Sequence, residues 1–303
     1  MKIVFLGTGG SMPMKDRGLT SIALRRNGEL LLFDGGEGTQ RQMTHTNISP
    51  MKVDTIFITH FHGDHFLGIP GLVQTMSLMD RERELWIYGP SGTEEKISKL
   101  LEIPVYTLKF DIKIQDLEPG DKVEKEDYQI ETTETDHFTP GIAYALVENE
   151  RPGKFYPDKA KELGIEPGPK YSRLQEGKSV ELSNGQIIEP EQVMGPPRPG
   201  RKVVYTGDTR PSQKILELAK GADLLIHDGT FAGDLEDEAE EGGHSTVKDA
   251  AEVAKEAEVE KLVLTHPSPR YSDLSDLEKQ AQEIFPNSTF AEDLMEIEVE
   301  LKK

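Results

Sequence analysis

Apolar residues in the first half of the chain fall into short runs: Lys2–Leu6, Ser21–Leu24, Leu30–Phe33, Thr55–Thr59, Glu84–Tyr88 and Ile142–Val147. They are bounded by Gly, Asp or Asn, the pattern of strands. Further strands are expected at Ile130–Thr135, Lys202–Tyr205, Asp223–His227 and Leu262–Thr265. Helical spacing appears instead at Leu67–Met79, Thr93–Leu101, Pro211–Ala219, Thr246–Ala257 and Ser275–Phe285. Pro70 and Pro211 suit first turns, and Ser245 or Thr246 suits an N-cap. Strands and helices in both halves predict an α/β sandwich.

One segment breaks this alternation. From Glu148 to Gly200 the chain is rich in Pro, Gly, Lys and Glu, without sustained apolar periodicity. It contains Arg151-Pro152-Gly153-Lys154, Glu166-Pro167-Gly168-Pro169-Lys170 and Gly195-Pro196-Pro197-Arg198-Pro199-Gly200. A structureless loop of that length is uncommon unless it has a function. Two readings stand side by side: a surface insertion tolerated at small entropic cost, or an arm that protrudes and grips a partner. The expected organisation is a single domain over residues 1–303 with an inserted arm at 148–200.

Composition narrows the class. The chain has no cysteine, so disulfides and thiolate metal sites are excluded, and any metal must sit on His and carboxylates. No run approaches the roughly 20 apolar residues that cross a bilayer, and a cytoplasmic enzyme is the simplest expectation. Lys plus Arg number 35 against 55 Asp plus Glu, a net charge of −20. That balance opposes a polyanionic partner on average, but contact is local. Acidic residues concentrate at Asp234–Glu241 and Glu252–Glu260. Basic ones gather at Lys15, Arg17, Arg25 and Arg26, and at Lys170, Arg173, Lys178, Arg198, Arg201 and Lys202.

The strongest chemical signal is Thr59-His60-Phe61-His62-Gly63-Asp64-His65, directly after a strand-like run. A tight turn there aims closely spaced side chains into one pocket: His60 and His62 can share one cation while Asp64 and His65 reach another. Imidazole and carboxylate donors without thiolate suit Zn²⁺, with Mn²⁺ as the alternative. His137, Asp208 and His266 each lie where a predicted strand ends, at the carboxyl-terminal edge where α/β sheets place their sites.

HxHxDH, a distant His, Gly-Asp and a final His together resemble the metallo-β-lactamase pattern. Within that superfamily the chain is similar to the tRNase Z family over nearly its whole length. The similarity opens with Leu6-Gly7-Thr8-Gly9-Gly10, and Pro13-Met14-Lys15-Asp16-Arg17-Gly18 resembles the PxKxRN loop. Phe33–Gln40, Thr206–Pro211, His227-Asp228-Gly229-Thr230, His244-Ser245-Thr246 and Leu264–Tyr271 continue it. The resemblance implies an αββα sandwich and two Zn²⁺ per chain. His60, His62 and His137 would hold one, Asp64, His65 and His266 the other, with Asp208 bridging. It also implies removal of 3′ trailers from precursor tRNA by a metal-bridging hydroxide, leaving a 3′-hydroxyl on the tRNA and a 5′-phosphate on the trailer. Asp64 would orient or deprotonate the water, and His244, oriented by Asp228, would assist the departing oxygen. A homodimer is implied as well, the arm of one subunit holding tRNA for the site of the other. The chain departs from the family at Gly18 (Asn there), Asp228 (Glu) and Gly35 (often Cys).

Other features carry plainer expectations. Gly7-Thr8-Gly9-Gly10 lacks the third glycine of a dinucleotide fingerprint and reads as a tight turn. Asp34 is expected to satisfy donors of the Gly35-Gly36 turn, His45 to be a solvated loop residue and Trp86 to lie in a strand. The acidic run Asp234–Glu241 reads as a solvated face. Two rival functions stay open: a small-molecule phosphodiesterase or arylsulfatase on the same fold, and a non-catalytic RNA-binding or scaffold protein with structural metals. The full ligand set opposes the second, since structural zinc sites are closed single-ion tetrahedra.

Overall fold

The computed structural model of the protein describes residues 1–302, in two compact units. The first comprises Met1–Glu124, Ile130–Leu146 and Lys202–Glu300, and every candidate site residue belongs to it. Two seven-stranded sheets form its centre. Across the first the order is Glu296–Glu298, Lys2–Gly7, Ser21–Arg26, Glu29–Phe33, Val53–Phe57, Leu85–Pro90 and Ile112–Leu117. Across the second it is Ser288–Phe290, Leu262–Thr265, Leu224–Asp228, Lys202–Tyr205, Ile142–Glu148, Tyr128–Glu134 and Lys122–Glu124. Both sheets are mixed. Lys2–Gly7 pairs antiparallel with both neighbours, whereas the strands from Glu29–Phe33 to Ile112–Leu117 run parallel. So do those from Lys202–Tyr205 to Ser288–Phe290. Parallel strands are covered on both faces, so they read as unbroken apolar runs such as Leu30–Phe33 and Leu262–Leu264.

Alternation along each strand sends neighbouring side chains to opposite faces. Val4, Leu6, Leu30, Leu32 and Ile56 join Met43, Ile69, Leu72, Met76 and Ile97 in one core beneath the helices Thr39–Met43, Ile69–Leu78 and Thr93–Glu102. Phe33 and Phe57 turn the other way and meet the second sheet. Phe33 stands 5.9 Å from Tyr144 and 6.2 Å from Tyr205 between ring centroids, and Phe57 stands 5.2 Å from Tyr144. Tyr144 Oη donates to the Ile58 carbonyl at 2.6 Å across the same interface. Helix Val247–Glu256 covers Leu224–Asp228 and Leu262–Thr265, with Gln213–Ala219 and Ser275–Ile284 beside it. The layers are therefore helix, sheet, sheet, helix.

Some expected boundaries shift for local reasons. Pro211 lies before the helix Gln213–Ala219 rather than in its first turn, because Ser212 is the N-cap and accepts from Ile215 N. Thr246, not Ser245, caps Val247–Glu256, closing a capping box with Asp249. The hydroxyl of Ser245 donates instead to the Thr209 carbonyl at 2.7 Å. The acidic run forms a short helix, Glu236–Gly242. Ile112–Leu117, Lys122–Glu124, Ser288–Phe290 and Glu296–Glu298 are unforeseen strands at or next to sheet edges, where polar side chains interrupt the apolar signal. Trp86 lies in the strand Leu85–Pro90 as expected; half-buried, it stacks on Tyr88.

The second unit comprises Lys125–Gln129, Val147–Arg201 and the last described residues, Leu301 and Lys302. It is folded. Helices Pro157–Glu162 and Pro169–Gln175 and the hairpin Val180–Glu181/Ile187–Ile188 enclose Ala160, Ile165, Leu174, Val180, Ile188 and Val193. These apolar residues come from turns and short elements, so they show no period. Two antiparallel bridges, Arg151↔Arg198 and Phe155↔Met194, close the unit. Arg201 donates to the buried Glu148 carboxylate through Nε at 2.8 Å and Nη2 at 2.7 Å. That guanidinium, grouped above with the basic residues, is committed to an internal pair. Among the described residues no helix is long and apolar enough to cross a membrane.

Candidate metal centre and active site

Loops at the carboxyl ends of five strands bring the candidate residues together. His60, His62, Asp64 and His65 follow Val53–Phe57, and His137 follows Tyr128–Glu134. Asp208 follows Lys202–Tyr205, Asp228 ends Leu224–Asp228, and His266 follows Leu262–Thr265. His266 has φ of 61°, a left-handed conformation that non-glycine residues rarely adopt, at the point where its ring must enter the pocket. A Cβ on Gly10 would lie 2.4 Å from that ring, so only glycine lets the Gly7–Gly10 turn approach it.

The donor atoms of His60, His62, His137 and Asp208 lie within 4.8 Å of one another, as do those of Asp64, His65 and His266. Asp208 stands between the two sets. Its Oδ2 is 3.6 Å from His60 Nε2 and 3.3 Å from His266 Nε2, and its Oδ1 is 3.4 Å from His65 Nε2. A third set joins Asp208, His244 and His266.

The nitrogens that face outward are spoken for. His65 Nδ1 donates to Asp34 at 2.8 Å, and His137 Nδ1 donates to the Gly243 carbonyl at 2.6 Å. His60 Nδ1 pairs with the Thr59 hydroxyl at 3.0 Å and His266 Nδ1 with the Thr230 hydroxyl at 3.1 Å. Such bonds fix the tautomer and turn the other nitrogen's lone pair inward, as metal ligands require. Correspondingly, the buried Nε2 atoms of His60 and His65 have no hydrogen-bond partner. His137 Nε2 and His62 Nδ1 point at each other across 3.2 Å.

Charge says the same. Burial opposes a proton on His65, but Asp208 and Asp34 outweigh it and raise its pKa well above the ordinary value. Burial also works against the Asp208 carboxylate, yet His266, His65 and His60 hold its pKa far below the usual range. For Asp64 burial is again overcome, by the hydrogen bond from His266 and the charge of His65. Buried carboxylates so placed call for positive charge, and the lone pairs aimed at them come from soft-to-intermediate nitrogen donors. The residues fit a transition-metal site.

Asp34 was expected to serve its own turn and does something else. Fully buried, with φ of 57°, it accepts from Thr59 N at 2.7 Å, Tyr205 Oη at 2.7 Å and His65 Nδ1. Nothing local signals this, since Tyr205 is 171 residues away. An Asp34→Asn variant can present its amide N–H to His65 Nδ1, which forces the proton onto Nε2 and removes the inward lone pair. Metal affinity, measured by competition with a chelator, is expected to fall by roughly 10–100-fold, the usual cost of losing an outer partner.

Beside the donors lies a dyad. His244 Nδ1 donates to Asp228 Oδ2 at 2.7 Å, leaving Nε2 free. Asp228 is fully buried and also accepts from Thr209 N at 3.2 Å, Thr230 N at 2.9 Å and Thr230 Oγ1 at 2.6 Å. Burial disfavours charge on His244, but Asp228 overrides it and raises the imidazole to about 9. Thr230 links the dyad to His266, a role its sequence position did not announce. His45 is solvent-exposed, as expected; with Lys15, Arg17 and Arg41 it lines a cavity of about 480 Å³.

Comparison with known proteins places this geometry. A family profile described as anti-Pycsar protein Apyc1 matches residues 1–156, and one described as a beta-lactamase superfamily domain matches residues 179–267. Neither alone spans both donor sets. The ribonuclease Z of Methanosarcina acetivorans does: it is 51% identical over 300 residues, covering 99% of this chain and 98% of that protein. The chain belongs to the ribonuclease Z family.

A second ribonuclease Z, from Methanosarcina mazei, is 49% identical, with 99% of this chain and 98% of the relative covered. The crystal structure of human tRNase Z, short form, superposes with a TM-score of 0.73 at 30% identity, over 99% of this chain and all of that one (100%). The fold is thus the metallo-β-lactamase sandwich, as the motifs implied. The departures from the ribonuclease Z pattern have local accounts. Asp228, although a methylene shorter than Glu, reaches His244 within hydrogen-bond distance. Gly18 takes part through its backbone: its N–H donates to Asp293 Oδ2 at 2.6 Å and its carbonyl accepts from Gly9 N at 2.9 Å. Gly35 leaves room for Ile69, whose Cγ1 lies 3.0 Å from where a Cβ would be. Arg17 does not reach outward to a phosphate; it donates to Thr8 Oγ1 at 2.8 Å and the Ala291 carbonyl at 2.7 Å.

Proposed function

We propose that this protein is a zinc-dependent endoribonuclease that removes the 3′ trailer from precursor tRNA in the cytoplasm. The observation that carries the reading is the pairing of two buried donor sets, sharing Asp208, with a His–Asp dyad beside them. His60, His62 and His137 would hold one ion, Asp64, His65 and His266 the other, with Asp208 common to both. Bound there, two Zn²⁺ or Mn²⁺ supply Lewis acidity to the phosphoryl oxygens and acidify a water to near neutral pKa.

The side chains account for the rest of the reaction. Asp64, steadied by Ser11 N at 2.7 Å, orients the attacking water and accepts its proton. The water oxygen bonds to phosphorus and the bond to O3′ breaks in line. His244 gives its Nε2 proton to the departing O3′ while Asp228 holds the ring. The products are a tRNA with a 3′-hydroxyl and a trailer with a 5′-phosphate. Metal-loaded protein incubated with precursor tRNA, with both new ends mapped, tests this directly. A 3′-phosphate on the tRNA, or no cut at all, refutes it.

The second unit is read as the tRNA-holding arm, supported by its own apolar core and by the exposed Arg173 guanidinium. Lys154 and Gly195 mark the place to close it off, since Gly195 N donates to the Lys154 carbonyl at 2.8 Å. Replacing residues 155–194 with a short Gly-Ser turn therefore removes the whole small core and none of the donors. Expected are weaker binding of precursor tRNA and a shallower dependence of affinity on salt, because fewer phosphates release counterions. Unchanged binding and slope would reduce the unit to an insertion. A homodimer is part of the reading. Leu78 and Met79 are exposed, and a second copy would cover them.

A further inference from the structure

Phe138 directly follows His137, yet its side chain is 63% exposed. A large aromatic ring in water beside a polar site is conspicuous when nearly every other aromatic of the first unit is buried or half-buried. The ring is not loose. The Arg210 guanidinium lies under it, with Cζ 4.8 Å from the ring centroid. Arg210 is itself fixed: Nη1 reaches Asp136 Oδ1 at 3.2 Å, Nε donates to the Glu240 carbonyl at 2.9 Å, and its own N–H donates to the Asp136 carbonyl at 2.8 Å. It is therefore held as a plate and not free to swing out to a phosphate. On the ring's edge is Gly243, with φ of 75°, where a Cβ would come within 3.1 Å of the ring. The carbonyl of Gly243 orients His137, and the next residue is His244.

We propose that Phe138, backed by Arg210, is the stacking platform for the nucleobase immediately 5′ of the scissile bond. This rests on the endoribonuclease reading. There the departing O3′ faces His244 and belongs to the nucleotide on the 5′ side, whose base is then the one carried toward Gly243 and Phe138. A ring with one face on a guanidinium and the other open completes an aromatic stack with any base, because every base offers a π-face. The rigid support means that little side-chain freedom is lost on binding. The platform thus selects position along the strand rather than base identity.

The test is a cycle that changes protein and substrate separately, using the metal-loaded full chain. Phe138→Ala is expected to lower kcat/KM for precursor tRNA by roughly ten- to a hundredfold, the usual range for one stacked base. A precursor lacking only the base 5′ of the cut should lose a similar factor with the parent enzyme. Combining the two should cost no more than either alone, and Phe138→Trp or Phe138→Tyr should restore the intact precursor's rate. Losses that multiply, or a Phe138→Ala enzyme as fast as the parent, overturn the proposal while leaving the endoribonuclease reading in place. Failure of the parent to cut the intact precursor removes that reading, and the platform with it.

Discussion

Asp208→Ala is expected to strip both metal ions from the protein and abolish cleavage. The Asp208 carboxylate oxygens lie within 3.6 Å of Nε2 atoms from both donor sets. Asp208 is buried, so no water can replace its charge cheaply, and its loss removes the only carboxylate that His60 faces and the one shared with His65 and His266 among the described residues. Losing an outer partner of a ligand costs roughly 10–100-fold in affinity, and the shared carboxylate should cost far more. Metal content after gel filtration, measured alongside turnover, checks this. Full activity with one tightly held ion would refute the binuclear arrangement.

His244→Ala should lower the cleavage rate by roughly 10²–10⁴-fold, the range for one acid–base group, while metal content stays at the parent value. The two readouts separate three roles. The ring's Nδ1 is taken by Asp228, its backbone N–H donates to the Ala239 carbonyl, and Thr246 caps the following helix. A capping role is therefore already filled. If metal is lost together with rate, His244 is a ligand through the set that joins it to Asp208 and His266. If neither changes under conditions where chemistry limits, the dyad takes no part in bond breaking. Asp228→Asn should reproduce part of the loss, since an amide still accepts from the ring but no longer favours its protonated form.

Much of this was legible in the chain because the signals are local. His60, His62, Asp64 and His65 lie within six positions of one another after an apolar strand, so one turn suffices to aim them together. His137, Asp208 and His266 were placed by the ends of their own strands, and parallel strands announce themselves because both faces are buried. The absence of cysteine restricted the donor atoms before any fold was considered.

What the sequence could not determine is everything that depends on which strand ends meet. The partners of Asp34 come from Thr59, His65 and Tyr205, and Thr230, bonded to Asp228, reaches His266 across 36 residues. A hydroxyl or carboxylate carries no mark of a distant partner; the pairing of neighbouring strands brings Thr230 to His266 and Asp34 to Thr59, and the packing of the two sheets brings Tyr205 to Asp34. The same holds for Arg17 and Arg201, whose charges looked available and are spent on internal bonds, and for Phe138, whose support comes from Arg210 on another loop. The chain by itself determined the chemistry of the donors and the class of fold, since both follow from residue type and short-range spacing. Which nitrogen of each histidine faces inward, and which charges are free to meet RNA, was decided by long-range contacts that exist only once the sandwich has closed.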